Sequence, residues 1–372
     1  MSGIQNSGNT CYISTGLQLL CSIPEFKKIL FLNKTQNEIN NCKNKPKKYE
    51  LIDEVIKIIK IIGSDSNANN AIKHKPLSIN INKFVKLLVV ASNSNFEYYQ
   101  QADAVEFMIF ILNTLHEIIC KKVKVNINVS DRPKTEIDNL AIKCYTMISD
   151  TYKNEYSVLY DLFYGIQLCK NKNTKTGITE IVPVFFNELN LNIPQKYIST
   201  ISNKNNKQMP AAQIRLEQCF DDYVKSVKIV DTATTTTTLI QTHRFWSFPH
   251  ILIIKINRFS NDTQKNLQPI VCPVTLNLKK YVDGYNADNY IYNLQGIGYH
   301  DGSSANHGHY TCAVRNENNS WTYFNDEQVY NNAVIENLLG LEVQPFISIL
   351  VYSRGTRPPY PLEKKAAAKP PP

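Results

Sequence analysis

An α+β fold follows from three features of the sequence. Apolar residues recur at helical spacing in the first third. Leu51, Ile52, Val55, Ile58, Ile59 and Ile62 form one stripe, and Val105, Met108, Ile109, Leu112, Leu115 and Ile119 form a second. The last third reads instead as extended segments, led by residues 249–259, a near-continuous apolar run of the kind a central buried strand shows. With 43% apolar and 20% charged residues over 372 positions, the chain has the composition of an ordinary globular protein with a large core.

Composition also narrows the function classes. No apolar run approaches the roughly 18 residues that a membrane span needs. The N-terminus is polar and does not read as a signal peptide. Nine scattered cysteines without paired spacing suit free thiols in a reducing compartment, the cytosol or nucleus. The net charge of +9 sits largely in Lys- and Asn-rich segments such as residues 41–48. No nucleic-acid motif accompanies it, so it reads as solvated basic surface.

In chain order, the first element is a helix behind Cys11, where Ile13, Leu17 and Leu20 share one face. Asn9 or Thr10 is its expected N-cap, which places the thiol in the first turn, where the helix dipole favours a thiolate. The two stripes above follow, separated by a Ser/Asn-rich loop at residues 63–71 and a short helix carrying Phe84, Leu87 and Leu88. Residues 121–144 read as polar and irregular. A strand is expected over residues 160–168 and another over 185–194. A polar loop at 199–210, a short helix over Leu216–Tyr223 and a Thr-rich, β-prone connector at 234–238 come next. After the strand at 249–259 and a loop at 260–268, strands near 309–314, 320–324 and 346–352 complete a sheet. The tail from 354 to 372, rich in Pro, Lys and Ala, is expected to be disordered.

Two distant stretches carry chemistry. The first is Gly3-Ile4-Gln5-Asn6-Ser7-Gly8-Asn9-Thr10-Cys11-Tyr12. The second runs from His300 to Thr311, with Gly308-His309-Tyr310 near its end, and continues to Trp321-Thr322-Tyr323-Phe324-Asn325-Asp326. A thiol nucleophile needs an imidazole base, and the base needs a third group to fix its tautomer. Cys11, His309 and Asn325 supply these in the chain order of papain-like proteases. Asn6, in a Gly-flanked loop, could donate to an oxyanion. Standing alone, Cys11 would read as a buried structural thiol; the downstream stretch changes the reading.

These stretches resemble the ubiquitin-specific proteases, a papain-like family of deubiquitinating enzymes. The match covers Asn6, Gly8-Asn9-Thr10-Cys11-Tyr12 and Leu17-Gln18, then Tyr292-Asn293-Leu294, His300, Gly308-His309-Tyr310, Trp321 and Phe324-Asn325-Asp326. Gln101-Ala102-Asp103-Ala104-Val105-Glu106-Phe107 is similar to a further family motif, with Ala102 where a second glutamine is common. The resemblance implies a papain-like fold over residues 1–353. It would comprise a helical thumb (about 1–145), reduced fingers (about 165–245) and a β-rich palm (246–353).

The resemblance also implies roles. Cys11 would be the nucleophile, His309 the base rather than His307, and Asn325 its orienting residue, with Asp326 assisting the base or the oxyanion site. Gln101, Asp103, His300 and Tyr310 would serve the substrate tail, Asp103 by pairing with the arginines of ubiquitin's C-terminus. Alternatively, Asp103 simply supports a helix start electrostatically. Relatives bind zinc in the fingers through two Cys-x-x-Cys pairs. Here Cys169 has Lys172 where its partner would stand and Cys219 has none, so no metal or other cofactor is expected. Cys21, Cys42, Cys120, Cys144 and Cys312 read as packing residues. Ubiquitin and ubiquitinated proteins are the implied partners of a monomeric enzyme, without nucleic acid or membrane. The alternatives are a ubiquitin-binding scaffold without catalysis and a protease for another ubiquitin-like modifier.

Overall fold

The computed structural model describes residues 1–40, 42, 46–64, 78–127, 133, 135–195, 213–230, 237–259, 265–304 and 307–355. Of the expected segments, the greater part of the loop at 63–71, the loop at 199–210, residues 234–236, 260–264 and the tail from 356 lie outside the described residues.

The first part is helical: α1 (Cys11–Cys21), α2 (Pro24–Phe31), α3 (Asn33–Asn40), α4 (Lys47–Ser64), α5 (Asn82–Ala91), α6 (Ala104–Ile119), α7 (Glu136–Asn154) and α8 (Val158–Phe163). Every residue of α1 is buried, polar ones included, because α2, α4, α6 and the main sheet surround it. Close approach of α1 to α6 depends on Gly16, where a Cβ would stand 2.5 Å from the Phe107 ring.

The strands follow as β1 (Gly165–Asn173), β2 (Thr179–Phe186), β3 (Leu189–Asn192) and β4 (Ile214–Arg215), then α9 (Leu216–Tyr223). After it come β5 (Val227–Val230), β6 (Thr237–Ser247), β7 (Ile251–Asn257), β8 (Ile270–Val271), β9 (Thr275–Asn277) and β10 (Ile291–Ser304). The last elements are β11 (His307–Arg315), β12 (Trp321–Asn325), β13 (Gln328–Ala333), α10 (Ile335–Leu338) and β14 (Ile347–Arg354). The main sheet runs β13-β12-β11-β10-β14-β7-β3, with β9 also paired to β10. Only its β3–β7 pair is parallel.

Both faces of this sheet are covered, which explains the near-continuous apolar run. Along β7, Ile251 and Ile253 enter the core shared with the helices, while Leu252 and Ile254 enter a second core on the other face. A smaller sheet, ordered β2-β1-β6-β5, stands beside it. One face packs Ile166, Leu168 and Trp246 against Ala141 and Cys144 of α7. The other carries Val182 and Val184, opposite Cys169 and Gln167, and beyond them Val227 and Ile229; all four apolar side chains are exposed.

Several expectations need correction. The stretch expected to be irregular from 121 to 144 turns helical at Glu136, opened by a capping box in which Thr135 and Asp138 satisfy each other's backbone N–H groups. Only Ala141, Cys144 and Ser149 are buried along α7, too sparse a stripe to read as a period. The strand expected over 160–168 starts at Gly165, because residues 158–163 form α8 behind the Ser157 cap. The strand expected over 185–194 is two, β2 and β3. Cys42 and Cys120 are only partly buried, unlike Cys21, Cys144 and Cys312.

Candidate active site

The loop before α1 is held at both ends. Ile4 donates its N–H to the Asp326 carbonyl (3.1 Å) and Gln5 its own to Ile79 (2.9 Å). Gly8 (φ 98°) and Asn9 (φ 55°) adopt left-handed conformations that turn the chain into the helix. Thr10 occupies the N-cap position, but its hydroxyl accepts from the Ser7 N–H (2.9 Å) instead of capping the helix. Asn6 organises the turn: its Oδ1 accepts from the N–H of Gly8 (3.0 Å) and of Thr10 (3.3 Å). Cys11 follows as the first residue of α1, 2% exposed.

The second half of the site comes from the main sheet. His309 lies near the start of β11, Asn325 ends β12, and Asp326 follows in a left-handed turn (φ 50°). His309 Nε2 lies 2.7 Å from Asn325 Oδ1. An amide oxygen only accepts, so Nε2 carries the hydrogen and Nδ1 is left for the Cys11 thiol. The hydrogen bond with Cys11 pushes His309 up to about 9, against burial, with further help from Asn325 and the charge of Asp326.

Asp326 Oδ2 stands 3.8 Å from His309 Nε2 and accepts from Asn6 Nδ2 (2.9 Å). Burial raises its carboxyl above the ordinary range, opposed by Asn6 and His309. Its Oδ1 is buried with no hydrogen-bond partner among the described residues. The structure therefore brings Cys11, His309, Asn325, Asp326 and Asn6 into one chain of contacts, from segments some 300 residues apart.

The four residues expected at the substrate tail each have partners within the protein. Asp103 is the N-cap of α6: its Oδ1 accepts from Val105 (2.8 Å) and Glu106 (3.1 Å). Its other oxygen pairs with Lys255 Nζ at 2.8 Å, so helix support is one of two tasks. Gln101 hydrogen-bonds both backbone groups of Gly308 (2.6 and 2.7 Å). Tyr310 is buried, and its hydroxyl takes a hydrogen bond from the Ala104 backbone. His300 is 2% exposed, packed against the rings of Tyr310 and Phe259, and its Nε2 has no hydrogen-bond partner among the described residues. Burial, then Lys265, lowers it to about 4, so it stays neutral. Sequence reading missed Lys255 and Glu188, whose carboxyl burial raises and Lys255 lowers. A lone charge inside the apolar run 251–257 was the available signal for Lys255.

Among the described residues no group of three or more His, Cys, Asp or Glu gathers as a metal site would require. Cys169 stands 3.7 Å from His243 Nδ1, and Cys219 is buried in the second core.

A thiol at a helix start, with an imidazole and an amide on adjacent strands, defines the class of α+β proteins built around a Cys–His–Asn triad. The chain belongs to the family described as "Ubiquitin carboxyl-terminal hydrolase", whose model matches residues 2–345. It is 25% identical over 370 residues to ubiquitin carboxyl-terminal hydrolase Usp2 of Drosophila melanogaster, covering 95% of this chain and 35% of that protein. It is 25% identical over 334 residues to ubiquitin carboxyl-terminal hydrolase 4 of Arabidopsis thaliana, covering 88% and 84%. The fold is similar to a chain in the SAGA Ubp8/Sgf11/Sus1/Sgf73 DUB module bound to ubiquitin aldehyde, with TM-score 0.65, 21% identity, and coverage of 96% of this chain and 70% of that one. The chain thus spans about a third of the fly relative's length and most of the Arabidopsis one's.

Proposed function

We propose that this chain is a deubiquitinating thiol isopeptidase that hydrolyses the bond between ubiquitin's terminal glycine and a substrate lysine. The observation that carries the reading is the placement of His309 between Cys11 and Asn325. The Cys11 proton passes to His309 Nδ1, and the thiolate adds to the glycine carbonyl carbon. The oxyanion meets the backbone N–H groups at the start of α1 and the free hydrogen of the Asn6 amide. As the C–N bond breaks, the imidazolium gives its proton to the leaving amine, and a thioester remains. Water, deprotonated by His309, then displaces the thiol and releases the carboxylate.

The surroundings support ubiquitin as the substrate. Asp103, Glu106 and Glu188 form an acidic group that Lys255 only partly neutralises, fitting a tail with two guanidinium groups. The recessed thiol suits a slim two-glycine terminus. In this reading residues 1–145 act as the thumb, the small sheet (about 165–245) as fingers without zinc, and 246–353 as the palm. The open Val182, Val184, Val227 and Ile229 face would meet the body of ubiquitin. All catalytic groups come from one chain, so a monomer suffices, and nine free thiols suit the cytosol or nucleus.

Labelling with a ubiquitin probe bearing a C-terminal electrophile tests this. A stable adduct on wild type and none on Cys11→Ala is the expected result. A folded wild type that ignores this probe but takes one built on another ubiquitin-like modifier would overturn the ubiquitin assignment. Inertness toward every probe, with ubiquitin still bound, would leave a scaffold.

A further inference from the structure

The strand that carries His309 is paired there on one edge only, and Gly308 before it lies outside the ladder. Toward β10, the pairing runs His300 with Tyr310 and Asp301 with His309, then jumps to Ser304 with His307. Gly308 has no partner in that register, and the β11–β12 ladder begins only at Cys312. A backbone N–H and C=O on the residue beside the base would therefore lack a strand to hold them.

Gln101 fills that place. Its Nε2 donates to the Gly308 carbonyl (2.6 Å), and the Gly308 N–H donates to its Oε1 (2.7 Å). A primary amide offers one donor and one acceptor side by side, the same pair a neighbouring peptide would present. The opposite side of Gly308 is closed too: a Cβ there would lie 2.3 Å from His300 Nε2 and 2.8 Å from the Asp301 carbonyl. Gln101 itself precedes the Asp103 cap of α6, and α6 packs directly on α1, which bears Cys11. A continuous mechanical path thus joins thiol to imidazole through Gln101 and Gly308.

We infer that Gln101 is a positioning residue for His309. It acts as a one-residue strand that locks the base in register with the nucleophile, rather than as a contact to the substrate tail. The inference rests on the catalytic reading of His309, and its test separates the two. Gln101→Glu keeps the shape and one acceptor but sets a carboxylate oxygen against the Gly308 carbonyl; Gln101→Ala removes the clamp.

Both variants are expected to lower kcat on a ubiquitin C-terminal amide by roughly ten- to a hundredfold, as displacements near one ångström do. KM, and the affinity of each variant for ubiquitin in a Cys11→Ala background, should hardly move. The high-pH limb of the activity profile should shift downward, because His309 leaves the thiol that holds its proton. Hydrogen exchange at the Gly308 amide, which needs no substrate, should quicken by about tenfold, the worth of one or two hydrogen bonds. Unchanged kcat with raised KM, or a Gly308 amide that exchanges freely in wild type, would overturn the inference. If wild type does not cleave the ubiquitin amide, the catalytic reading fails, while exchange at Gly308 still decides the clamp.

Discussion

His309 is the residue on which pH dependence turns. Its conjugate acid is held up to about 9, chiefly by Cys11, so the proton it takes from the thiol is retained below that value and lost above it. The imidazolium must protonate the leaving amine, so kcat/KM should fall as pH rises through about 9. Asp326→Asn removes a negative charge that raises this group and should move the falling limb to lower pH, read directly from a rate profile. Asn325→Ala should cost on the order of a hundredfold in kcat, because the ring then loses its tautomer and orientation. Cys11, His309 and Asn325 were legible in the sequence because the chemistry demands those residue types in that order. The Lys255–Asp103 ion pair and the Gln101–Gly308 clamp were not, since each joins positions more than 150 residues apart and neither follows a local rule.

At the scale of elements, legibility followed the strength of the local pattern. The helices α4 and α6 show dense apolar stripes, and β7 shows a strand buried on both faces, so each was plain in the sequence. By contrast α7 buries three residues out of nineteen and depends on its first turn for definition. Removing the cap through Thr135→Ala should cost about 1 kcal/mol. The loss would appear as an earlier urea midpoint with unchanged slope. β10 also escaped notice: its first half is apolar on alternate residues, but its second half carries glycines, Asp301 and serines that read as loop. Pairing with β11, which reaches Ser304, overrides that weak local preference.

The whole molecule is joined at Arg258, just beyond β7. The guanidinium is completely buried and donates to the carbonyls of Ile347, Asn266, Gln268 and Gln344. Burial lowers it to about 10, still well above neutrality, so it remains a cation among carbonyl dipoles. Arg258→Met would strand four acceptors from two segments of the palm, and should destabilise the protein by about 3–5 kcal/mol in chemical denaturation.

Strand order in the main sheet sets a timetable for the living chain. β14 lies between β10 and β7, yet among the described strands of this sheet it is the last to be synthesised, more than 300 residues after Cys11. At ribosomal speeds the thiol precedes that strand by tens of seconds. Until β14 is inserted, β10 and β7 have no shared neighbour and the main sheet stands in two halves. The strand that joins the two halves is thus made after Cys11, His309 and Asn325 have all been added to the chain.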